Sequence, residues 1–160
     1  MTLGNLLRRQ GGRPITPACV DLTLAIPDAK AGVPRMEDVR VAIVPVSEKA
    51  KAAAFRAAEA YIAERDEAAR QNGIVSDAPS PTDERALRLI VAMLRDPDDL
   101  RKPFVDDVGL FRETIIAEQV RLLLAAYDNL IASEYPETVT GSDVATIKRE
   151  AKATFPDGQG

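Results

Sequence analysis

Apolar and polar positions alternate twice near the start of the chain. In residues 18–26, Val20, Leu22, Leu24 and Ile26 fall on one side, and Cys19, Asp21, Thr23 and Ala25 on the other. In residues 38–46, Val39, Val41 and Ile43 oppose Arg40, Ala42 and Val44. A period of two places the first set of each run on a buried sheet face. The intervening Pro27–Pro34 stretch, with Gly32 inside it, is a loop, so the two runs predict an antiparallel pair. Two strands alone are marginal in water and need a helix or a partner chain against them.

The period then changes. Ser47 is a good N-cap for a helix over 48–71, with Asn72-Gly73 as its stop. This helix is rich in Ala, the best helix former, and its apolar stripe is Phe55, Ala58 and Ile62, with Ala54 and Tyr61 alongside. Ser80 and Pro81 start a second helix over 81–95, whose face is Leu87, Ile90, Val91 and Leu94. Asp96-Pro97 ends it. A tight charged connection follows, anchored by Phe104, and Asp106 or Asp107 starts a short turn holding Val108, Leu110 and Phe111. A third main helix spans 115–134, with Val120, Leu123, Leu124, Tyr127, Leu130 and Ile131 on one face. Ser142 is placed to cap a last short helix to about residue 153, with Val144, Ile147 and Ala151 on one side.

The predicted fold is therefore α+β and mostly helical. An N-terminal two-stranded antiparallel ribbon packs on a small bundle of about three main helices. Residues 1–17 are expected to be a flexible N-terminal arm, 18–153 a single α+β domain, and 154–160 a disordered tail. Leu3, Leu6 and Leu7 can form one helical turn before Gly11, Gly12 and Pro14 break it. The residues expected to be mostly buried are Leu87, Ile90, Val91, Leu94, Val120, Leu123, Leu124 and Tyr127.

Composition sharpens this picture. At 160 residues and 46% hydrophobic content, the chain is long enough for one real core. Aromatics are only 4% and Trp is absent, so that core is aliphatic. The net charge of −4 argues against a nucleic-acid binder; Arg8, Arg9 and Arg13 are the only basic cluster and read as a solvated arm. No apolar run reaches the length of a membrane span or a secretory signal, so neither is expected. The single cysteine, Cys19, is read as an inert residue in or near the core, consistent with a reducing cytosol.

Catalytic candidates are sparse. The chain has no His, which removes the commonest general base and metal ligand, and one Cys excludes every multi-Cys zinc site. Phosphate-loop, dinucleotide and nucleophile-elbow motifs are missing. Asp96, Asp98 and Asp107 stand at positions 1, 3 and 12 of a calcium-loop spacing, but Leu100 and Arg101 occupy positions 5 and 6, where a ligand and a Gly are needed. Tyr61, Tyr127 and Tyr135 read as core-edge residues. No catalytic, metal or cofactor-binding residue and no cofactor is expected.

The order of features resembles the tail assembly chaperones of long-tailed phages and of related prophage or gene-transfer elements. The resemblance covers residues 18–135. It rests on the strand end Val-Arg-Val-Ala-Ile-Val-Pro-Val-Ser at 39–47, which runs into a long helix, and on the helix ending in Asp-Pro-Asp-Asp-Leu-Arg-Lys-Pro-Phe-Val-Asp-Asp at 96–107. A closing helix carries Leu124, Tyr127 and Leu130. The family pattern has a shorter Arg-Pro-Leu-Ser turn and a glycine before the Lys-Pro, and this chain departs from both. The resemblance implies a non-catalytic protein of the bacterial host cytosol that binds the tape measure protein and other tail proteins while the tail tube assembles. It also implies that a longer frameshifted form can accompany the short one. Self-association is a further expectation, with Ala54, Phe55, Ala58, Tyr61 and Ile62 as candidate partner-binding residues. No nucleic acid or membrane is expected as a partner. The alternative is a structural virion component such as a head–tail connector or tail-completion protein. A third reading is a regulatory or antitoxin-like partner protein.

Overall fold

A computed structural model describes residues 1–9 and 11–135. The expected short helix at 142–153 and the tail from 154 lie outside the described residues. The elements run α1 (Leu3–Arg8), β1 (Ala18–Ile26), β2 (Arg35–Ile43), α2 (Glu48–Gln71), α3 (Pro81–Met93), β3 (Leu94–Arg95), α4 (Val108–Thr114) and α5 (Ala117–Glu134). The architecture is α+β with an antiparallel sheet in the order β1-β2-β3.

β1 and β2 pair over nine residues, from Ala18↔Ile43 to Ile26↔Arg35. The alternation sets the faces. Leu22, Leu24, Val41 and Ile43 are buried, with Val20, Ile26 and Val39 packed beside them. On the opposite face Thr23 donates to Asp38 at 2.7 Å, and Arg40 lies 3.9 Å from Asp21. Cys19 belongs to this face and is exposed. The expectation of a core or near-core cysteine is corrected for that reason: period two turns it away from Leu22 and Leu24.

β3 is an addition to the expected ribbon. The helix predicted to reach 95 stops at Met93, because Leu94 and Arg95 pair with Ile43 and Ala42. Pro97 disfavours helical geometry at Asp96, and the chain turns extended just before it. Arg95 also bridges Pro103, so residues 94–104 fold back on themselves.

The helix ends follow the sequence signals. Ser47 accepts from the Ala50 N–H at 3.1 Å, and Ser80 accepts from Asp83 at 3.1 Å with Pro81 in the first turn. α2 closes in a Schellman motif. Ile74 N–H donates to the Ala69 carbonyl, Gly73 N–H donates to the Arg70 carbonyl, and Gly73 takes φ +63°. Asp107 caps α4 by accepting from Leu110 at 3.0 Å.

The core lies between the inner sheet face and α3, α4 and α5. Of the eight residues expected inside, Leu87, Ile90, Leu94 and Leu123 are buried, while Val91, Val120, Leu124 and Tyr127 pack against them partly exposed. Tyr127 has a second role: its hydroxyl accepts from the Val46 N–H at 3.1 Å and ties α5 to the β2–α2 connection. α2 lies outside this core and packs on α3. No helix among the described residues is long and apolar enough to cross a membrane.

Candidate functional site

The candidate residues on α2 form its inner stripe. Ala58 is fully buried, and Ala54, Phe55, Tyr61 and Ile62 are half-buried. α3 is what covers them. The Arg85 guanidinium sits 5.6 Å from the Phe55 ring centroid, and Arg88 lies 5.6 Å from that of Tyr61. The apolar stripe of α2 is thus used inside the fold, and Ala58 has no surface to offer a partner. The physical reason is the small side chain: alanine lets the two helix backbones approach and is enclosed by that approach. The outer faces of α2 carry exposed Ala52, Ala53, Ala60 and Ala63 among charged residues.

A buried carboxylate lies near the same contact. Glu84, in the first turn of α3, is fully buried. Arg88, one turn on, donates to it at 3.0 Å, and Arg112 of α4 donates through both terminal nitrogens, one of them at 2.7 Å. Arg112 also stacks 4.0 Å from the Tyr61 ring centroid. One cluster thereby joins α2, α3 and α4. Burial alone would raise the Glu84 pKa, but the hydrogen bonds and charges of Arg112 and Arg88 outweigh it and hold the carboxyl below its ordinary value. Glu84 in turn raises Arg112. A carboxylate held ionised by two guanidiniums is a structural clasp and a poor proton acceptor.

Glu84 escaped the sequence reading although a signal was present. It sits at i−3 from Leu87 and i−4 from Arg88, so it falls on the apolar face with a cation one turn away. Nothing in the sequence pattern places Arg112 opposite it.

The aspartates with calcium-loop spacing are engaged locally. Asp96 accepts from the Asp98 N–H at 2.9 Å and Asp107 caps α4. Asp99, beside them, accepts from the backbone and guanidinium of Arg101, whose side chain holds its pKa down. Among the described residues no three His, Cys, Asp or Glu side chains are gathered to hold a metal ion.

Two apolar surface depressions border β1. The first, of about 460 Å³, runs between β1 and α5 and is lined by Ala18, Val20, Ala126 and Leu130, with Asn129 and Ser133 among its polar atoms. It lies beside β1, which pairs with β2 on its other side. At its far end Gln119 donates to the Thr23 carbonyl at 2.6 Å. The second is a smaller cleft where Leu24 and Ile26 meet Phe104, Leu110 and Phe111, with Asp106 and Asp107 at its rim. No protein-family model matches the chain, and no match was found among curated proteins or solved structures.

Proposed function

We propose that this protein is a non-catalytic tail assembly chaperone that binds the tape measure protein and promotes assembly of the tail tube. The order of features from β1 to α5 supports the reading. The observation that carries it is the strip beside β1. Among the described residues β1, nine residues long, pairs with another strand on one side only, and its other edge, which takes a side-chain bond from Gln119, runs next to the apolar groove of Ala18, Val20, Ala126 and Leu130. A long amphipathic client helix can lay apolar residues in such a groove, and an extended client segment can add to the edge. Both modes hold a client without chemistry. β1 carries no Lys and no Pro within it, and Asp21 is its one charged residue.

The test is co-expression with the tape measure protein encoded beside it. Soluble tape measure protein should accumulate with this chain present and precipitate without it. Ala126→Asp, placed in the groove, should abolish the rescue while the chain stays folded. Rescue that survives this substitution removes the groove from the proposal. No rescue by the unaltered chain removes the chaperone reading.

A virion component remains the second reading, since ring-forming proteins also use strand edges between subunits. Particle proteomics separates the two, because a chaperone leaves and a ring subunit stays at fixed copy number.

A further inference from the structure

The chain's own arm already borders the groove beside β1. Thr16 and Pro17 line it together with Ala18, Val20, Ala126 and Leu130. Arg13 extends this contact by pairing with Glu134, which also lines the groove. The root of the arm is therefore part of the groove wall by covalent connection, with or without that ion pair.

The outer half of the arm is different. No residue of α1 is buried, and Leu3, Leu6 and Leu7 are 70%, 50% and 77% exposed. Their spacing places all three on one side of a helical turn. Between the two halves stand Gly11 and Gly12. Gly12 takes φ +95°, which residues with a side chain rarely adopt, and both glycines face open space. The joint can therefore redirect α1 without a clash.

Reach and local concentration favour the groove of the same chain. Leu7 stands nine positions before Thr16, a length that spans up to roughly 30 Å when extended. From Glu134 back to Ala126 the groove follows α5 for roughly 12 Å, at about 1.5 Å per residue. The leucines reach all of it whether the exposed Arg13–Glu134 pair is closed or open. A tether this short holds them near the groove at about millimolar concentration. The arm of another copy competes only when the protein itself is that concentrated. The groove, at about 460 Å³, accepts more than one aliphatic side chain.

We infer that α1 folds back on the Gly11–Gly12 joint and seats its leucines in the groove of its own chain, against Ala126 and Leu130. An apolar helical turn in that place occupies the groove as a client helix would. The arm is then an autoinhibitory strap that a client displaces, and the conformation with α1 free is the open state. The regulatory role rests on the chaperone reading, because it takes this groove as the client site; the seat of the arm does not.

Oxidative crosslinking of the full chain tests the seat. Cys19→Ser removes the one native thiol. Leu6→Cys with Ala126→Cys then puts one thiol on α1 and one in the groove. Oxidation at micromolar protein should give an intrachain disulfide, seen as a faster band of monomer mass on a non-reducing gel. Leu6→Cys with Ala60→Cys, on the exposed side of α2, should crosslink at least about tenfold more slowly, because the seat concentrates α1 at the groove. Adding Leu3→Asp and Leu7→Asp to the groove pair should bring its rate down to that of the α2 pair. Equal rates at the two sites, an interchain dimer as the main product, or a groove rate untouched by the aspartates each overturn the inference. The oxidation involves no client, so its failure leaves the chaperone reading standing. In the co-expression assay, Leu6→Asp with Leu7→Asp should reduce the amount of this chain needed for rescue at least about twofold, since no groove is then self-occupied. A larger requirement means that the leucines grip the client, and it overturns the autoinhibitory role.

Discussion

Glu84 and Arg112 are 28 positions apart, yet the guanidinium grips the buried carboxylate through both of its terminal nitrogens. The pair fixes α4 against α3 at the point where both meet Tyr61 of α2. Removing one partner of such a pair leaves the other charge stranded, which costs about 3–5 kcal/mol in a fully buried setting. Arg112 keeps 24% of its side chain exposed, so part of that penalty is relieved by water. Glu84→Gln should therefore destabilise the fold by roughly 2–4 kcal/mol, read as a lower denaturant midpoint. Glu84→Leu combined with Arg112→Met should recover much of the loss, because neither charge is then stranded.

The same pair sets a pH dependence. The folded-state pKa of Glu84 lies below its ordinary value. Its ionised form thus favours folding fully above the unfolded pKa of about 4.3, and the contribution is lost as pH falls through the folded pKa. The stability difference between the unaltered chain and Glu84→Gln should be flat from neutral pH to about pH 5 and shrink below about pH 4. A difference that grows on acidification contradicts the assignment.

Neighbouring leucines on α5 should separate clearly. Leu123 is fully buried in the core, whereas Leu124 packs at its margin. Leu123→Ala should cost about 2–5 kcal/mol through lost burial and a residual cavity. Leu124→Ala should cost less than half as much. Equal midpoints for the two variants would place α5 in a different rotation about its axis.

Cys19 faces outward from the sheet. It should react with a thiol reagent in the native protein, in a one-to-one ratio and without denaturant. A thiol that titrates only after unfolding would mean that the outer face of β1 is covered, as it would be if a second chain lay across it.

The strand pair, α2, α3 and α5 were legible because each repeats its period over enough residues to fix a face. Their ends were legible from Ser47, Ser80 and Asn72-Gly73, whose cap bonds all form. β3 was not, because two residues carry no period, and Leu94 fits the helical spacing of Leu87, Ile90 and Val91 as well as it fits a strand. α2 shows a different limit. Its stripe is legible as an apolar face, but the expectation that this face binds a partner goes beyond periodicity, which says only that a face is apolar. Whether α3 or another molecule covers it is a tertiary fact. The Glu84–Arg112 contact is of the same kind, since the α4 segment is too short for its rotation to be read.

Ala54 and Ala58 test how α2 is used. They are one turn apart on the same helix, but Ala58 is enclosed against α3 while Ala54 stands half-exposed. At Ala58 a carboxylate would be enclosed between the two helices, where the flanking Arg85 and Arg88 are already engaged with Glu59 and Glu84. Ala58→Asp should cost about 3 kcal/mol or more. At Ala54 the carboxylate can turn to solvent, so Ala54→Asp should stay within about 1 kcal/mol. Paired chemical-denaturation curves give both values. The contrast matters for function. If α2 served mainly as a surface for another protein, with α3 displaced on binding, both substitutions would weaken binding alike. If α3 stays in place, Ala54→Asp should leave client rescue untouched while Ala58→Asp lowers it only in proportion to the fraction unfolded. Rescue measured at a temperature where Ala58→Asp is still mostly folded distinguishes the two.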